Sequence, residues 1–259
     1  MLETIFQAGP SDYVVGNFMY DPVTASPPGA FNDFLTIVGG LFWMACYIMV
    51  ILRGRKDKTL AMPLMVLGLN FAWEFCYAFV FQYQHLPQRI VNVFWFLIDC
   101  GLVFYKFKFA KDDFRHTFPG ANEKWAYPYV TAIMIAGFVV LYYSYYDFGD
   151  ALGVYSAFIQ NTFISTMFLT SFYRRGRDIA GTSMGIAICK QLGTLAPIIC
   201  GVVQMLWQGG AANLAGMMVS IQVMCVVIVV TDCLYTYAVY KRMKELGLNP
   251  WTRKPLAEK

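Results

Sequence analysis

Three acidic residues stand inside stretches of sequence that are apolar enough to cross a membrane: Glu74, Asp99 and Asp232. A carboxyl group at such a depth is costly, and it usually faces a cavity or a partner and serves a function. Glu74 is the first functional candidate, because it lies in the stretch Asn70-Phe71-Ala72-Trp73-Glu74-Phe75 within a longer apolar run. Burial favours the neutral form of a carboxyl group, so one of a close pair can stay protonated at neutral pH and act as a general acid.

The simplest interpretation is that the three carboxyls open on one polar cavity in the middle of a helix bundle. The alternative is that they are structural and are held by amide side chains in the same runs, which are Asn70, Asn92, Gln160, Asn161, Gln204 and Gln222. Three acids together with so many amides favour a functional pocket. Lys190 also lies within a run, about two turns from its predicted cytoplasmic end, and we expect its ammonium group to extend to the interface.

Aromatic residues make up 17% of the chain, and several of them flank the acids at helical spacing. Bundle packing and interfacial belts use the same residue types, so each ring taken alone indicates packing. Together they suit a cavity that holds a long apolar substrate and shelters a developing cation against ring faces. The rings that flank the acids at helical spacing are Trp73, Tyr77, Trp95 and Tyr235.

Motifs for other chemistries are missing from the sequence. The two histidines, His85 and His116, fall in predicted loops, and no HExxH, GxSxG, P-loop or glycine-rich dinucleotide motif occurs. The seven cysteines lie in apolar stretches without CxxC spacing, which argues against a zinc site and a disulfide framework. We therefore do not expect a haem, zinc or flavin cofactor, and carboxyl-based proton chemistry remains.

The composition indicates a polytopic membrane protein, because 58% of the 259 residues are hydrophobic and only 14% are charged. Basic residues account for the net charge of +4, but they stand in short runs beside apolar segments. In that position they act as topology signals, so nucleic-acid binding is not expected. The connections between the apolar segments are too short for a separate soluble domain.

The elements that must position the acids are seven apolar runs, at about 31–52, 60–83, 88–109, 126–146, 151–173, 183–207 and 213–240. Lysine and arginine crowd into alternate connections, which by the positive-inside rule are cytoplasmic. The sequence thus predicts an all-α seven-transmembrane-helix bundle with a lumenal N-terminus and a cytoplasmic C-terminus. Its predicted parts are a lumenal segment 1–30, a transmembrane domain 31–240 and a cytoplasmic tail 241–259. Pro197 is expected to kink the sixth helix.

The string Asn70-Phe71-Ala72-Trp73-Glu74, followed far downstream by Thr231-Asp232-Cys233-Leu234-Tyr235, resembles the small membrane-bound terpene cyclases of fungal meroterpenoid and indole-diterpene pathways. The pyripyropene and paspaline cyclases are of this type. The likeness covers nearly the whole chain in length, seven-span layout and placement of the two acids. The first string is fairly specific, whereas the rest of the likeness is mostly hydropathy.

The resemblance implies a reaction in which a prenyl chain that carries a terminal epoxide and an aromatic or indole unit is protonated and cyclises through carbocations. It implies catalytic roles for Glu74 and Asp232, and no metal. From position in this chain we add Asp99, so that the expected substrate-binding residues are Asn70, Trp73, Tyr77, Trp95, Asp99 and Tyr235. The expected partners are the epoxidised prenyl-aromatic substrate and the lipid bilayer, with a prenyltransferase and an epoxidase upstream. The expected location is the endoplasmic reticulum.

Three other functions share some of these sequence features. A proton-coupled transporter also places acids at mid-membrane, although the chain shows no internal repeat of interrupted helices. A retinal protein needs a lysine deep in its last span, and there is none between Asn213 and Tyr240. A purely structural membrane subunit predicts that neutralising Glu74 has no chemical effect.

Overall fold

A computed structural model describes residues 29–81, 86–150, 153–207 and 219–256. The predicted lumenal segment, apart from its last two residues, and the predicted turn at Gln208-Gly209-Gly210 lie outside this part of the chain. Where the structure describes it, the chain is helical, and its one isolated β-bridge joins Leu248 and Pro255. The predicted all-α class is therefore confirmed.

Each of the seven apolar runs corresponds to one helical segment in the described ranges. The helices are α1 (Gly29–Asp57), α2 (Leu64–Phe75), α3 (Leu86–Lys108), the short α4 (Ala110–Thr117), α5 (Ala126–Asp147), α6 (Val154–Arg174), α7 (Met184–Trp207) and α8 (Val219–Glu245). Helix α2 continues as a π-helix over Cys76–Val80, and a 3₁₀ turn at Glu123–Trp125 precedes α5. Short π segments of this kind often occur at functional sites.

Five helical segments are long and apolar enough to cross a membrane, judged by length and composition alone: Ala30–Asp57, Leu86–Lys108, Glu123–Asp147, Met184–Val202 and Ser220–Glu245. The segment Leu64–Val80 is apolar but shorter, and α6 is long but carries amides and hydroxyls that lower its hydropathy. The chain is thus a multi-pass membrane protein, whereas the count of seven spans and the orientation of the termini stay predictions.

Close contact between two helices brings α2 into the interior of the bundle. Helix α2 packs against α5 and α3, while α1 packs against α7 and α3, and α8 against α6 and α7. A Cβ atom added to Gly137 of α5 would lie 2.5 Å from the carbonyl oxygen of Gly68 on α2. Small residues permit such approach of two backbones within a membrane. This crossing holds the helix that carries Glu74 against its neighbours.

The outer faces of the helices are apolar. Leu41 on α1, Leu97 on α3 and Val226 on α8 are 57%, 59% and 63% exposed, respectively. Large exposed apolar surfaces mark sites of contact with a partner or a membrane. The bundle therefore presents the surface that a lipid environment requires.

The chain after α8 folds back on the bundle instead of trailing from it. One guanidinium nitrogen of Arg253, Nη1, donates to the carbonyl oxygen of Thr182 over 2.9 Å and lies 3.4 Å from Asp57 Oδ2. Burial and the neighbouring Arg53 lower the pKa of Arg253, and the Asp57 carboxylate opposes that change. The predicted tail thus joins the ends of α1 and α7.

Candidate active site

An elongated cavity runs through the bundle along one face of α1. Asn32, Thr36, Gly39, Trp43 and Tyr47 line it, and they recur every three or four residues, which places them on one side of a helix. At a rise of 1.5 Å per residue, the line from Asn32 to Tyr47 is about 22 Å long. The cavity is therefore long enough for an extended chain substrate.

The walls of the cavity are mostly apolar and aromatic. Trp43 of α1, Trp73 of α2, Trp95 of α3 and Phe158 of α6 contribute rings to it. All of the cavity-lining side chains among the described residues are uncharged. The faces of these rings can stabilise a developing cation.

Glu74 and Asp99 form an acid cluster beside one end of the cavity. We call this end the inner end, and it is lined by Tyr47 and Asn70. The Tyr47 hydroxyl donates to Glu74 Oε1 over 3.0 Å. The Asn70 amide nitrogen lies 2.7 Å from the same oxygen, 2.9 Å from Asp99 Oδ2 and 2.7 Å from the Tyr47 oxygen. The carboxyls of Glu74 and Asp99 are therefore neighbours, and both residues are 0% exposed.

The third predicted acid lies elsewhere. Asp232 Oδ1 of α8 forms an ion pair with Lys190 Nζ of α7. The same ammonium group donates to Ser165 Oγ of α6 over 3.3 Å and lies 5.5 Å from the centre of the Phe168 ring. Lys190 is 0% exposed, so the prediction that it extends to the interface is wrong, because α8 places a carboxylate opposite it inside the bundle.

The interpretation that three carboxyls open on one cavity is corrected in the same way. Glu74 and Asp99 form one buried cluster, Asp232 forms another with Lys190, and none of the three acids is among the residues that line the cavity. Tyr47 and Asn70 stand between the first cluster and the cavity. The physical reason is that the amide and hydroxyl groups cover the costly carboxyls.

Two of the four predicted aromatic wall residues line the cavity. The indole nitrogen of Trp73 donates to Ser156 Oγ over 3.0 Å, and that of Trp95 donates to the Gly40 carbonyl over 3.0 Å. Each ring is thus held at a defined angle by a hydrogen bond to a neighbouring helix.

Tyr77 and Tyr235 do not line the cavity, and the structure gives both a supporting position. The Tyr77 hydroxyl donates to the Asp150 carbonyl over 2.7 Å, in the connection between α5 and α6. The Tyr235 hydroxyl is 2.6 Å from Thr182 Oγ, and its ring packs edge-on against Phe168.

Tyr47 and Trp43 line the cavity but are not among the predicted site residues, because neither stands next to an acid in the sequence. A signal was present, since the polar, small and aromatic residues along 32–47 recur at helical spacing. That spacing alone does not distinguish a cavity face from an ordinary packing face.

Asp150, in the connection before α6, holds the Ser156 hydroxyl to which the Trp73 indole donates. Asp150 accepts hydrogen bonds from the Ser156 hydroxyl over 2.6 Å and from the backbone N–H groups of Ser156 and Tyr155 over 2.8 and 3.1 Å. Burial raises the pKa of Asp150, and the hydrogen bonds from Ser156 oppose that rise. Gly153 precedes α6 with φ of +67°, a left-handed conformation that suits glycine.

Replacing Gly153 with alanine is expected to destabilise the protein by more than the roughly 1–2 kcal/mol of a left-handed non-glycine residue. The added Cβ would also lie 2.9 Å from ring atoms of both Trp73 and Tyr77. Gly176→Ala is the matched control, since its φ is +64° but nothing lies within 4 Å of an added Cβ. Thermal unfolding in detergent measures both variants, and equal losses would contradict a role for Gly153 in seating the rings.

Among the described residues, no group of three or more His, Cys, Asp or Glu side chains is arranged to hold a metal ion. What the structure presents is a long, uncharged, aromatic cavity inside a membrane bundle, with a buried acid cluster behind its inner end. Such a cavity inside a membrane bundle is typical of a class of protein that binds apolar molecules within the membrane.

Comparison with known proteins gives the family. Residues 22–245 match the family model of the Pyr4-like transmembrane terpene cyclases, which is most of the chain, and the protein belongs to this family. The predicted resemblance is thereby confirmed, and with it the predicted class of enzyme, a membrane-bound terpene cyclase. The matched family consists of cyclases, so it favours the cyclase over the alternative of a proton-coupled transporter.

Three relatives illustrate the similarity. The Pyr4-family terpene cyclase mfmH of Annulohypoxylon moriforme is 30% identical over 172 residues, which are 63% of this chain and 67% of that protein. Terpene cyclase pyr4 of Aspergillus fumigatus is 26% identical over 129 residues, 47% of this chain and 53% of that protein. Terpene cyclase dpasB of Apiospora sacchari is 32% identical over 85 residues, 33% of this chain and 35% of that protein. No solved structure is significantly similar.

Proposed function

We propose that the protein protonates the terminal epoxide of a prenyl chain attached to an aromatic unit and guides its cyclisation through carbocations. The observation that carries this proposal is the acid cluster of Glu74 and Asp99 behind the inner end of an aromatic cavity. Opening an epoxide needs an acid, and the resulting cations need a dry wall that does not react with them.

The proton is held by the pair of neighbouring carboxyls. Two buried carboxyls cannot both ionise at close range unless cations compensate them. Among the described residues, neither Glu74 nor Asp99 forms an ion pair, and Glu74 Oε2 and Asp99 Oδ1 lack hydrogen-bond partners. In this proposal Glu74 is the general acid and Asp99 is the neighbour that keeps it protonated.

Asp232 has a positioning role in this proposal, although the resemblance to the cyclase family implies that it belongs to the proton-donating site. The Asp232 carboxylate compensates the buried charge of Lys190 and thereby joins α8 to α7. The Lys190 ammonium group also donates to Ser165, which joins α7 to α6. Helices α6 and α7 both supply residues to the cavity wall, so this ion pair supports the shape of the cavity.

The substrate lies along α1 with its epoxide at the inner end. Trp43, Trp73 and Trp95 shelter the developing cation. Asn32 and Gln88, at the opposite end of the cavity, are suited to polar groups on the aromatic unit. The length of about 22 Å along α1 accommodates a prenyl chain of several isoprene units.

The protein carries out this reaction as a seven-span enzyme of the endoplasmic reticulum, with its N-terminus in the lumen. The distribution of basic residues and the exposed apolar faces of α1, α3 and α8 support this placement in a bilayer. An upstream prenyltransferase and an epoxidase supply the substrate, because the proposed reaction begins from a prenylated epoxide.

The test is to express the protein in microsomes and supply epoxyfarnesyl- and epoxygeranylgeranyl-aromatic compounds. We expect an isomer of unchanged mass that is polycyclic by NMR, and none from the corresponding prenyl compounds that lack the epoxide. Microsomes without the protein are the control for spontaneous opening. Products from the epoxides in both preparations at equal rates would contradict the proposal.

A further inference from the structure

A gap separates the proposed proton donor from the place where the substrate lies. Glu74 is 0% exposed, and it is not among the residues that line the cavity. Of the described residues that do line it, only Tyr47 and Asn70 hydrogen-bond to Glu74. A proton that leaves Glu74 for the cavity therefore passes one of these two side chains.

Their chemistry decides between them. The Asn70 amide donates hydrogen bonds through its nitrogen, but it does not release that proton to an epoxide under ordinary conditions. The Tyr47 hydroxyl both accepts and donates a hydrogen bond, so it can take one proton while it gives another. Its oxygen is 3.0 Å from Glu74 Oε1 and 2.7 Å from the Asn70 nitrogen, so it is held by both.

We propose that Tyr47 is a catalytic residue, the group that touches the epoxide and passes the proton from Glu74 to it. This inference rests on the proposed function and names a further residue of the same site. Asn70 is a positioning residue, because its amide nitrogen lies within hydrogen-bond distance of the Tyr47 hydroxyl and of both carboxyls.

The relay balances in protons and charge. When the epoxide binds, the Tyr47 hydroxyl turns its hydrogen from Glu74 Oε1 to the epoxide oxygen, and Glu74, protonated on Oε1, donates to the Tyr47 oxygen instead. The Glu74 hydrogen then moves to the Tyr47 oxygen as the Tyr47 hydrogen moves to the epoxide oxygen. The bond from that oxygen to the more substituted carbon then breaks, which leaves a hydroxyl group and a carbocation on the substrate. Glu74 becomes a carboxylate that accepts from Asn70 and Tyr47. The proton released when the last cation becomes an alkene equals the one donated, so the reaction is an isomerisation.

The position of Tyr47 in the helix supports this role. It is the last of the α1 residues that line the cavity, and its ring lies 5.4 Å from that of Trp43, centre to centre. An epoxide that binds against the hydroxyl is therefore next to an aromatic face, where the new cation is stabilised.

The experiment compares Tyr47→Phe with Tyr237→Phe, whose hydroxyl-bearing ring is 61% exposed on α8. We expect Tyr47→Phe to lower the cyclisation rate by about 100-fold or more, while Tyr237→Phe keeps the parental rate. Binding of the prenyl-aromatic compound without the epoxide is measured in parallel, and we expect its Kd to change less than about threefold in either variant, because no proton is transferred.

A second pair of variants distinguishes proton transfer from positioning. Replacing Tyr47 with 3-fluorotyrosine or 3,5-difluorotyrosine keeps the hydroxyl and changes its acidity. We expect the rate to change in step with the number of fluorine atoms, by about threefold or more in total. If the Tyr47 hydroxyl only holds Glu74 in place, both fluorotyrosine variants would cyclise the substrate at the parental rate.

The outcomes separate the two proposals. A Tyr47→Phe protein that cyclises at the parental rate, or fluorotyrosine variants that all match the parent, would overturn the role of Tyr47 and leave the proposed function intact. A parent protein that cyclises none of the epoxides would overturn the proposed function, and the relay with it.

Discussion

Replacing Glu74 with glutamine is expected to lower the rate of epoxide cyclisation by about 100- to 10,000-fold, the range that a general acid contributes. Glutamine keeps the size of the side chain and still accepts hydrogen bonds from Asn70 and Tyr47, but it has no carboxyl proton to give. The measurement is the first-order rate of product formation in microsomes at saturating substrate, followed by mass spectrometry.

The matched control for this variant is Glu123→Gln, because the Glu123 side chain is 43% exposed on the 3₁₀ turn before α5. Its loss removes only an exposed ion pair with Arg115, which is worth less than about 1 kcal/mol. We expect this control to keep the parental rate. A Glu74→Gln protein that binds substrate and cyclises it as fast as the control would exclude Glu74 as the acid.

The second large effect is expected in stability, at the buried pair of Lys190 and Asp232. Asp232→Leu leaves an uncompensated ammonium group that is 0% exposed, and we expect a loss of about 3–5 kcal/mol in the free energy of unfolding. Lys190→Met leaves the buried Asp232 carboxylate without its cation, and we expect a similar loss in the free energy of unfolding. The double variant replaces the pair with apolar side chains of similar size, so we expect it to recover most of the stability.

This set of variants also tests how Asp232 contributes to the reaction. If Asp232 acts by supporting the helices, the double variant recovers cyclisation together with its thermal stability in detergent. A double variant as stable as the parent but at least 100-fold slower would place Asp232 in the proton chemistry itself and contradict the positioning role.

Much of the architecture follows from local properties of the sequence. The seven apolar runs coincide with seven helical segments in the described ranges, because apolar segments in a membrane must satisfy their backbone groups as helices. The sequence also indicates Glu74 as a functional candidate, because a carboxyl group within an apolar membrane segment is costly and usually serves a function. The string around it also carried the family resemblance that the family match confirmed.

The partners of the acids were decided only by the tertiary structure. Lys190 and Asp232 are 42 residues apart, and Asn70 meets Asp99 across 29 residues, on helices whose own sequences do not specify which faces meet. Such contacts depend on the rotation of each helix about its axis and on its depth beside its neighbours. Packing alone sets both, for example where Gly68 meets Gly137. Tyr47 lines the cavity beside the acid cluster for the same reason, because the packing of α1 against α3 and α7 sets the rotation of α1.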